Sequence, residues 1–251
     1  MDQNLCGGYF QERRSVRSFA DREVSDSLLD SIIERAMRAP TTGNMQLYTV
    51  VVTREEEMLE KLRPAHFSQP ASISAKVLLT VCADFNRFTR WCEISGADPG
   101  YDNFLSFASA MLDATIFAQQ IVTIAETEGL GTCYLGTVTY NADSVSEILE
   151  LPEMVVPVAC IAIGWPTNQG EVTERLPLDA IRCFEKYPKH SDSRIKELYS
   201  VKDNYAPNAK YVQENGKTSL AQVFTDVRYP RSMNENFSIR FLELLKRKRF
   251  L

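Results

Sequence analysis

Residues 104–128 restrict the possible folds more than any other stretch of this chain. Leu105, Ala108, Met111, Leu112, Thr115, Ile116, Gln119, Ile121, Val122 and Ala125 recur at helical spacing and place apolar or small groups around much of the circumference. A helix apolar on so many sides has to be covered on several of them, so the pattern predicts a central buried helix with the rest of the chain built around it. A membrane span needs about 20 predominantly apolar residues, and Asp113, Gln119, Gln120 and Glu126 interrupt this one. Gly129-Leu130-Gly131 then ends the helix in the usual glycine manner.

On either side, helix and strand patterns alternate. Ser25 precedes Leu28, Leu29, Ile32, Ile33, Ala36 and Met37 as a cap precedes an amphipathic helix, and Pro40 stops that helix ahead of a loop at 41–44. Residues 47–53 and 77–83 read as strands flanking a charged helix at 54–62. Residues 133–138 and 155–163 read as two more buried strands, separated by a short helix at 142–150. Beyond Gly164-Trp165-Pro166 the chain turns polar and poor in pattern until an amphipathic helix at 238–248, which carries Ile239, Phe241, Leu242, Leu244 and Leu245. That tail reads as an arm. Four strands and about five helices result, with no internal repeat, and their alternation on its own predicts a parallel doubly wound sheet.

Composition excludes several function classes. A net charge of −5 and a pI near 5.3 leave no cationic surplus for binding nucleic acid or an anionic membrane. The start, Met1-Asp2-Gln3-Asn4, has neither a basic nor an apolar leader region, which predicts a cytoplasmic protein. Six scattered cysteines, Cys6, Cys82, Cys92, Cys133, Cys160 and Cys183, include no Cys-x-x-Cys pair and read as thiols in a reducing compartment. With only His66 and His190, no metal site is expected, and no Gly-x-Ser-x-Gly elbow supports a Ser-His-Asp hydrolase.

Four short segments carry the remaining chemistry. Arg13-Arg14-Ser15-Val16-Arg17 gathers three guanidinium groups and a hydroxyl in an acidic protein, and extended backbone would put Arg13, Ser15 and Arg17 on one face, suited to an anion such as phosphate. Taken alone it equally fits a solvated basic turn. Ala39-Pro40-Thr41-Thr42-Gly43-Asn44-Met45-Gln46 offers hydroxyls and carboxamides able to bond a flat heteroaromatic edge, or is simply a polar loop. Tyr134-Leu135-Gly136-Thr137 is a strand end where glycine permits close backbone approach. Gly164-Trp165-Pro166 followed by Arg175-Leu176-Pro177 ends the last strand and brings back an arginine. Gly129-Leu130-Gly131 lacks the Gly-x-Gly-x-x-Gly pattern and follows a helix instead of preceding one, so a dinucleotide-binding Rossmann unit is disfavoured.

Taken in order, these segments resemble the nitroreductase family over about residues 10–187. Within it, Cys82-Ala83-Asp84-Phe85-Asn86-Arg87 and the Gly164-Trp165-Pro166 exit resemble the NADPH-preferring nitroreductase and flavin reductase subgroup. The resemblance implies an α+β fold: a three-layer sandwich whose mixed, mostly antiparallel sheet is flanked by helices, in an intertwined homodimer with the long helix at the interface. Residues 1–187 would form the FMN-binding domain and 188–251 a C-terminal arm of the same domain.

The implied cofactor is FMN, with NADPH or NADH as donor. The implied reaction is ping-pong hydride transfer to a small-molecule acceptor, a nitroaromatic, quinone or flavin. A family branch with another acceptor, such as a dehalogenase or enoate reductase, and a flavin-binding protein without turnover remain alternatives. Carried over by residue, Arg13, Arg14, Ser15 and Arg175 would bind the FMN phosphate. Arg17 would face N1 and O2 of the ring. Gln69 would lie at the ring edge, and Thr41, Thr42 and Gly43 would come from the partner subunit. Tyr134, Leu135, Gly136 and Thr137 would line the flavin with the Gly136 amide near N5, and no side chain would act as nucleophile. Thr173 stands where relatives usually carry Lys, and Arg13 where the subgroup often has His.

Overall fold

The computed structural model of the protein describes residues 3–251, with side chains from Gly8 onward. Met1 and Asp2, where the reading of the N-terminus begins, lie outside the described residues, as does the side chain of Cys6. Helix α1 (Gln3–Glu12) is followed by α2 (Asp26–Ala36), where the Ser25 hydroxyl accepts from the Leu28 N–H as the capping pattern predicts. Strand β1 (Tyr48–Thr53) leads through α3 (Glu56–Leu62) and α4 (Pro70–Ser74) to β2 (Val77–Asp84), and α5 (Asn86–Ile94) precedes the long α6 (Phe104–Thr127). Strand β3 (Gly131–Tyr134), α7 (Ala142–Ile148) and β4 (Val155–Gly164) complete the sheet.

The strands lie in the order β1-β2-β4-β3, and every neighbouring pair is antiparallel. This corrects the doubly wound expectation. Alternation of elements says nothing about the end of the sheet at which the chain re-enters: here direction reverses from β1 to β2 and from β3 to β4, while β2 and β3 run the same way but are held apart by β4. The buried apolar runs that suggested parallel strands have another cause. Val77, Leu79, Val81, Ile161 and Ile163 face α2 and α6, while Leu78, Cys160 and Ala162 face the layer built on α3, α4 and α7. Helices on both faces bury both sides of β2 and β4, giving the three layers. Ten residues of α6 are buried, and the helix packs on α2 and across β1, β2 and β4 as a core element.

The expected strand at 133–138 is also corrected. Pairing ends at Tyr134, one further bond joins the Leu135 N–H to the Cys160 carbonyl at 2.8 Å, and Gly136–Val138 then close into a 3₁₀ turn. Cys82, Cys92, Cys133 and Cys160 are buried, Cys183 is exposed, and none of these five forms a disulfide.

The chain divides into two compact units. The larger comprises Arg14–Glu171 and Phe237–Leu251 and holds the sheet. The smaller comprises α1 with Arg13 and Val172–Asn236, and contains α8 (Leu178–Ile181), α9 (Asp192–Asp203), α10 (Ala206–Glu214) and α11 (Leu220–Gln222), followed by a π turn at Val223–Arg228. Helix α12 (Arg231–Arg247) starts in the smaller unit and ends in the larger. Helices α8 to α11 correct the reading of this stretch as irregular. Their apolar side is thin, with Leu198 and Leu220 its buried residues and Val223 buried just after α11, so periodicity is faint. Caps from Ser191 and Ser219 and ion pairs of Arg194 with Asp179 and Glu197 hold them.

Candidate functional site

The arginine-rich segment is extended and fixed at several points. Its anchor is Val16, which is buried and donates its N–H to the Thr132 carbonyl at 2.9 Å. The fit is close: a Cβ on Gly131 would lie 2.7 Å from the Val16 Cβ. Phe19 packs on Gly164 and bridges to Pro166, and the Thr167 hydroxyl donates to the Ser18 hydroxyl at 2.9 Å. Because Gly131 and Gly164 pair with each other, the run from Val16 to Phe19 passes off the start of β3 toward the exit of β4. Arg14 and Ser15 therefore lie on the side of Tyr134 and Gly136. Ser15 and Arg17 flank Val16 in extended backbone and point away from the core it enters, Ser15 half-buried and Arg17 exposed. Gly170, at φ 68°, closes over the Ser15 carbonyl, which would lie 2.9 Å from an added Cβ.

Two further segments are stitched to this one. The Phe19 N–H donates to the Ser74 hydroxyl at 3.3 Å, which ties the segment to α4. The residue at the cap of α4 is Gln69, which is exposed. Just before it, Phe67 and Ser68 hold left-handed backbone at φ 53° and 47°, a local strain that clusters at functional positions. His66 in the same loop is fully buried, and its Nδ1 shares a 3.1 Å hydrogen bond with the Thr137 hydroxyl. Burial holds its pKa down, to about 4, so the ring is neutral. Gly136 is exposed, and a side chain there would meet no atom within 4 Å, so its backbone is open to close approach. The Gln69 loop and residues 134–137 are thus joined at the end of β3, and the segment carrying Arg14, Ser15 and Arg17 is anchored on the same short strand through Thr132.

Thr41, Thr42 and Gly43 do not join them within one chain. Their loop leads into β1, at the sheet edge opposite β3, about 14 Å away at roughly 4.8 Å per strand. It also lies on the other face, docked on α6. Asp113 of α6, 2% exposed, accepts from the Thr41 hydroxyl at 2.5 Å and from the Thr42 hydroxyl and N–H at 2.8 and 2.9 Å. Both hydroxyl protons are therefore committed inside the protein, and what the loop presents is its backbone, Asn44 and Gln46. Gly43, Asn44 and Gln46 have φ of 54°, 57° and 56°, so the loop is held in strained form by that carboxylate.

Arg13 and Arg175 belong to the smaller unit. Arg175 is exposed, and its guanidinium folds back to donate to the Thr173 hydroxyl at 2.7 Å and to the Glu174 carbonyl at 2.9 Å. The Thr173 hydroxyl therefore orients the Arg175 guanidinium. Sequence reasoning missed Asp113 and His66. The signal for Asp113 was present, a lone acid on an apolar helix with two threonines in search of an acceptor. Nothing local marked His66.

The sequence profile of the Nitroreductase family matches residues 10–165. FMN reductase [NAD(P)H] from Bacillus subtilis is 33% identical over 226 residues, 87% of this chain and 90% of that protein. Oxygen-insensitive NADPH nitroreductase from Salmonella typhimurium is 30% identical over 206 residues, 78% of this chain and 80% of that protein. A crystal structure of a Bacteroides fragilis protein superposes with a TM-score of 0.95 at 42% identity, covering 97% of this chain and 99% of that one. With a fixed cationic segment beside an open glycine turn at one end of an antiparallel three-layer sandwich, the chain belongs to the nitroreductase family.

Proposed function

We infer that this chain is an FMN-dependent oxidoreductase that takes hydride from NADPH or NADH and passes it to a small electrophilic acceptor. The observation that supports the reading most is the Val16 anchor, which fixes the backbone carrying Arg14, Ser15 and Arg17 on β3, the strand that leads into the exposed Gly136 turn. This donor set fits the cofactor: guanidinium forks and a hydroxyl suit a phosphate dianion, and an unobstructed glycine backbone suits a flat ring. FMN, when bound, supplies the two-electron relay of a ping-pong cycle ending on a nitroaromatic, quinone or flavin.

The chain's own groups then divide the work. Arg14 and Ser15 bind the phosphate, with Arg13 and Arg175 as its other ligands. Arg17 places a permanent positive charge at the pyrimidine edge of the ring, where negative charge accumulates on reduction. Gln69 orients the ring edge, and Tyr134, Leu135, Gly136 and Thr137 present backbone along it. The separation of Thr41, Thr42 and Gly43 from this cluster supports a homodimer in which they serve the partner's site. The exposed apolar stripe of α6, with Leu105 75%, Leu112 60% and Ile116 43% exposed, is the face such a partner would cover. Residues 1–187 act in this reading as the FMN-binding domain and 188–251 as its arm, in the cytoplasm.

Paired substitutions test the assignment. Charge-assisted hydrogen bonds contribute about 1.5–3 kcal/mol, and 30 mV corresponds to roughly 1.4 kcal/mol for a two-electron couple. Arg17→Ala should lower the potential of the bound flavin by some tens of millivolts. Arg175→Ala should weaken FMN affinity and leave the potential nearly unchanged. Equal potentials in the two variants at saturating FMN would show that Arg17 does not face the ring, and a protein that binds no FMN would overturn the whole reading.

A further inference from the structure

The Gly136 turn is buttressed from a place no motif announces, the segment of α12 that lies in the larger unit. Arg240 donates two hydrogen bonds from one guanidinium nitrogen to the Asp143 carboxylate, at 2.7 and 2.9 Å, and reaches the Asn141 side-chain oxygen at 3.4 Å. Asn141, itself buried, donates from its carboxamide to the Ala65 carbonyl at 2.7 Å. One turn earlier on α12, Phe237 stacks on Tyr140 with centroids 4.7 Å apart and planes 8° from parallel, and lies 6.3 Å from the Phe67 ring. Two side chains of one helix thus grip both loops of the cluster, the one carrying His66 and Gln69 and the one following Gly136. The turn itself depends on that grip, because the Tyr140 and Asn141 N–H groups donate to the Thr137 carbonyl at 3.1 and 3.2 Å.

Part of the grip is charged and partly withdrawn from water. Burial pushes the Asp143 carboxyl up, but the Arg240 hydrogen bond and the Ser144 N–H outweigh it and leave the group below its ordinary range. The pair is therefore ionised at neutral pH, and its fork holds the direction of the Asn141 side chain as well as its distance.

We propose that Arg240 and Phe237 are positioning residues of the cofactor site, which fix the Gly136–Val138 turn against the Gln69 loop so that the turn's backbone is presented in one conformation. The role of the C-terminal helix then goes beyond packing the core. Leu244 and Leu245 of the same helix do pack the core, buried about one turn beyond Arg240, which provides an internal control. The proposal rests on the flavin reading for what the turn serves, and not for the grip itself.

Hydrogen exchange on the flavin-free protein, compared across Arg240→Gln, Arg240→Lys, Phe237→Leu and Leu244→Ala, tests the grip. Arg240→Gln and Phe237→Leu should speed exchange at the Val138, Tyr140 and Asn141 amides tenfold or more. Arg240→Lys, which keeps charge but not the fork, should recover part of the protection. Leu244→Ala should lower the melting temperature more than either while moving those amides less than threefold. Unchanged amides in Arg240→Gln, or an equal effect of Leu244→Ala, would overturn the grip. FMN titration tests its purpose: the dissociation constant should rise at least fivefold in Arg240→Gln and stay near wild type in Leu244→Ala, and an unchanged constant in Arg240→Gln would overturn the positioning role. A wild-type protein that binds no FMN would overturn the flavin reading, with the exchange data still deciding the grip.

Discussion

His66 shows how a single residue can be decisive without being catalytic. It is fully buried beside Thr137 and titrates near 4, held there by burial, against about 6.5 for an exposed histidine. Between those values the unfolded chain binds a proton that the folded chain refuses, so stability rises with pH across the window. It is complete above about 6.5 and falls as the pH drops toward 4. The difference in unfolding free energy between wild type and His66→Asn should slope upward from pH 4 to 6.5 by at most one proton, and parallel curves would show that the buried ring does not matter. In the sequence, His66 could be read only as a weak candidate for a base or ligand, because burial depends on segments 71 and more residues away. Asp113 was misjudged for a similar reason: along the chain it interrupts an apolar run, whereas in space it organises the loop it faces.

At the level of elements, legibility followed hydrophobic contrast. Helices α2 and α6, β1, β2 and β4 fell close to where periodicity placed them, because each has an apolar side that must be covered. Strand direction did not follow, since layers on both faces erase the alternation that marks an antiparallel sheet. Helices α8 to α11 were lost because so few of their side chains are buried. The arginine segment could be picked out in the sequence as a candidate anion site, but its rigidity could not, because that comes from Val16 meeting a glycine more than a hundred residues away. Gly131→Ala tests that dependence. The new methyl would sit 2.7 Å from the Val16 Cβ, and overpacking of this kind costs about 1–3 kcal/mol. Thermal unfolding should register that loss, and FMN affinity should fall with it as Val16 lifts Ser15 and Arg17 out of place. A variant of normal stability and normal affinity would show that the contact positions nothing.

Across the whole molecule, the strand order carries a consequence of its own. Thr41 to Gly43 and Gly136 sit at opposite edges and on opposite faces of one sheet, so in the proposed dimer each site takes one contribution from each copy. Activity should then be recoverable from two defective parents. A copy with Arg17→Ala keeps a sound 41–43 loop. A copy with Gly43→Val, whose side chain is strained at φ 54°, keeps a sound Arg17 segment. Unfolded together and refolded, half of the dimers would combine one copy of each, and one of the two sites in every such dimer would be intact, about a quarter of all sites. Turnover in the mixture above that of either parent would show that the site is shared between chains, whereas activity that only averages the parents would place both contributions in one subunit.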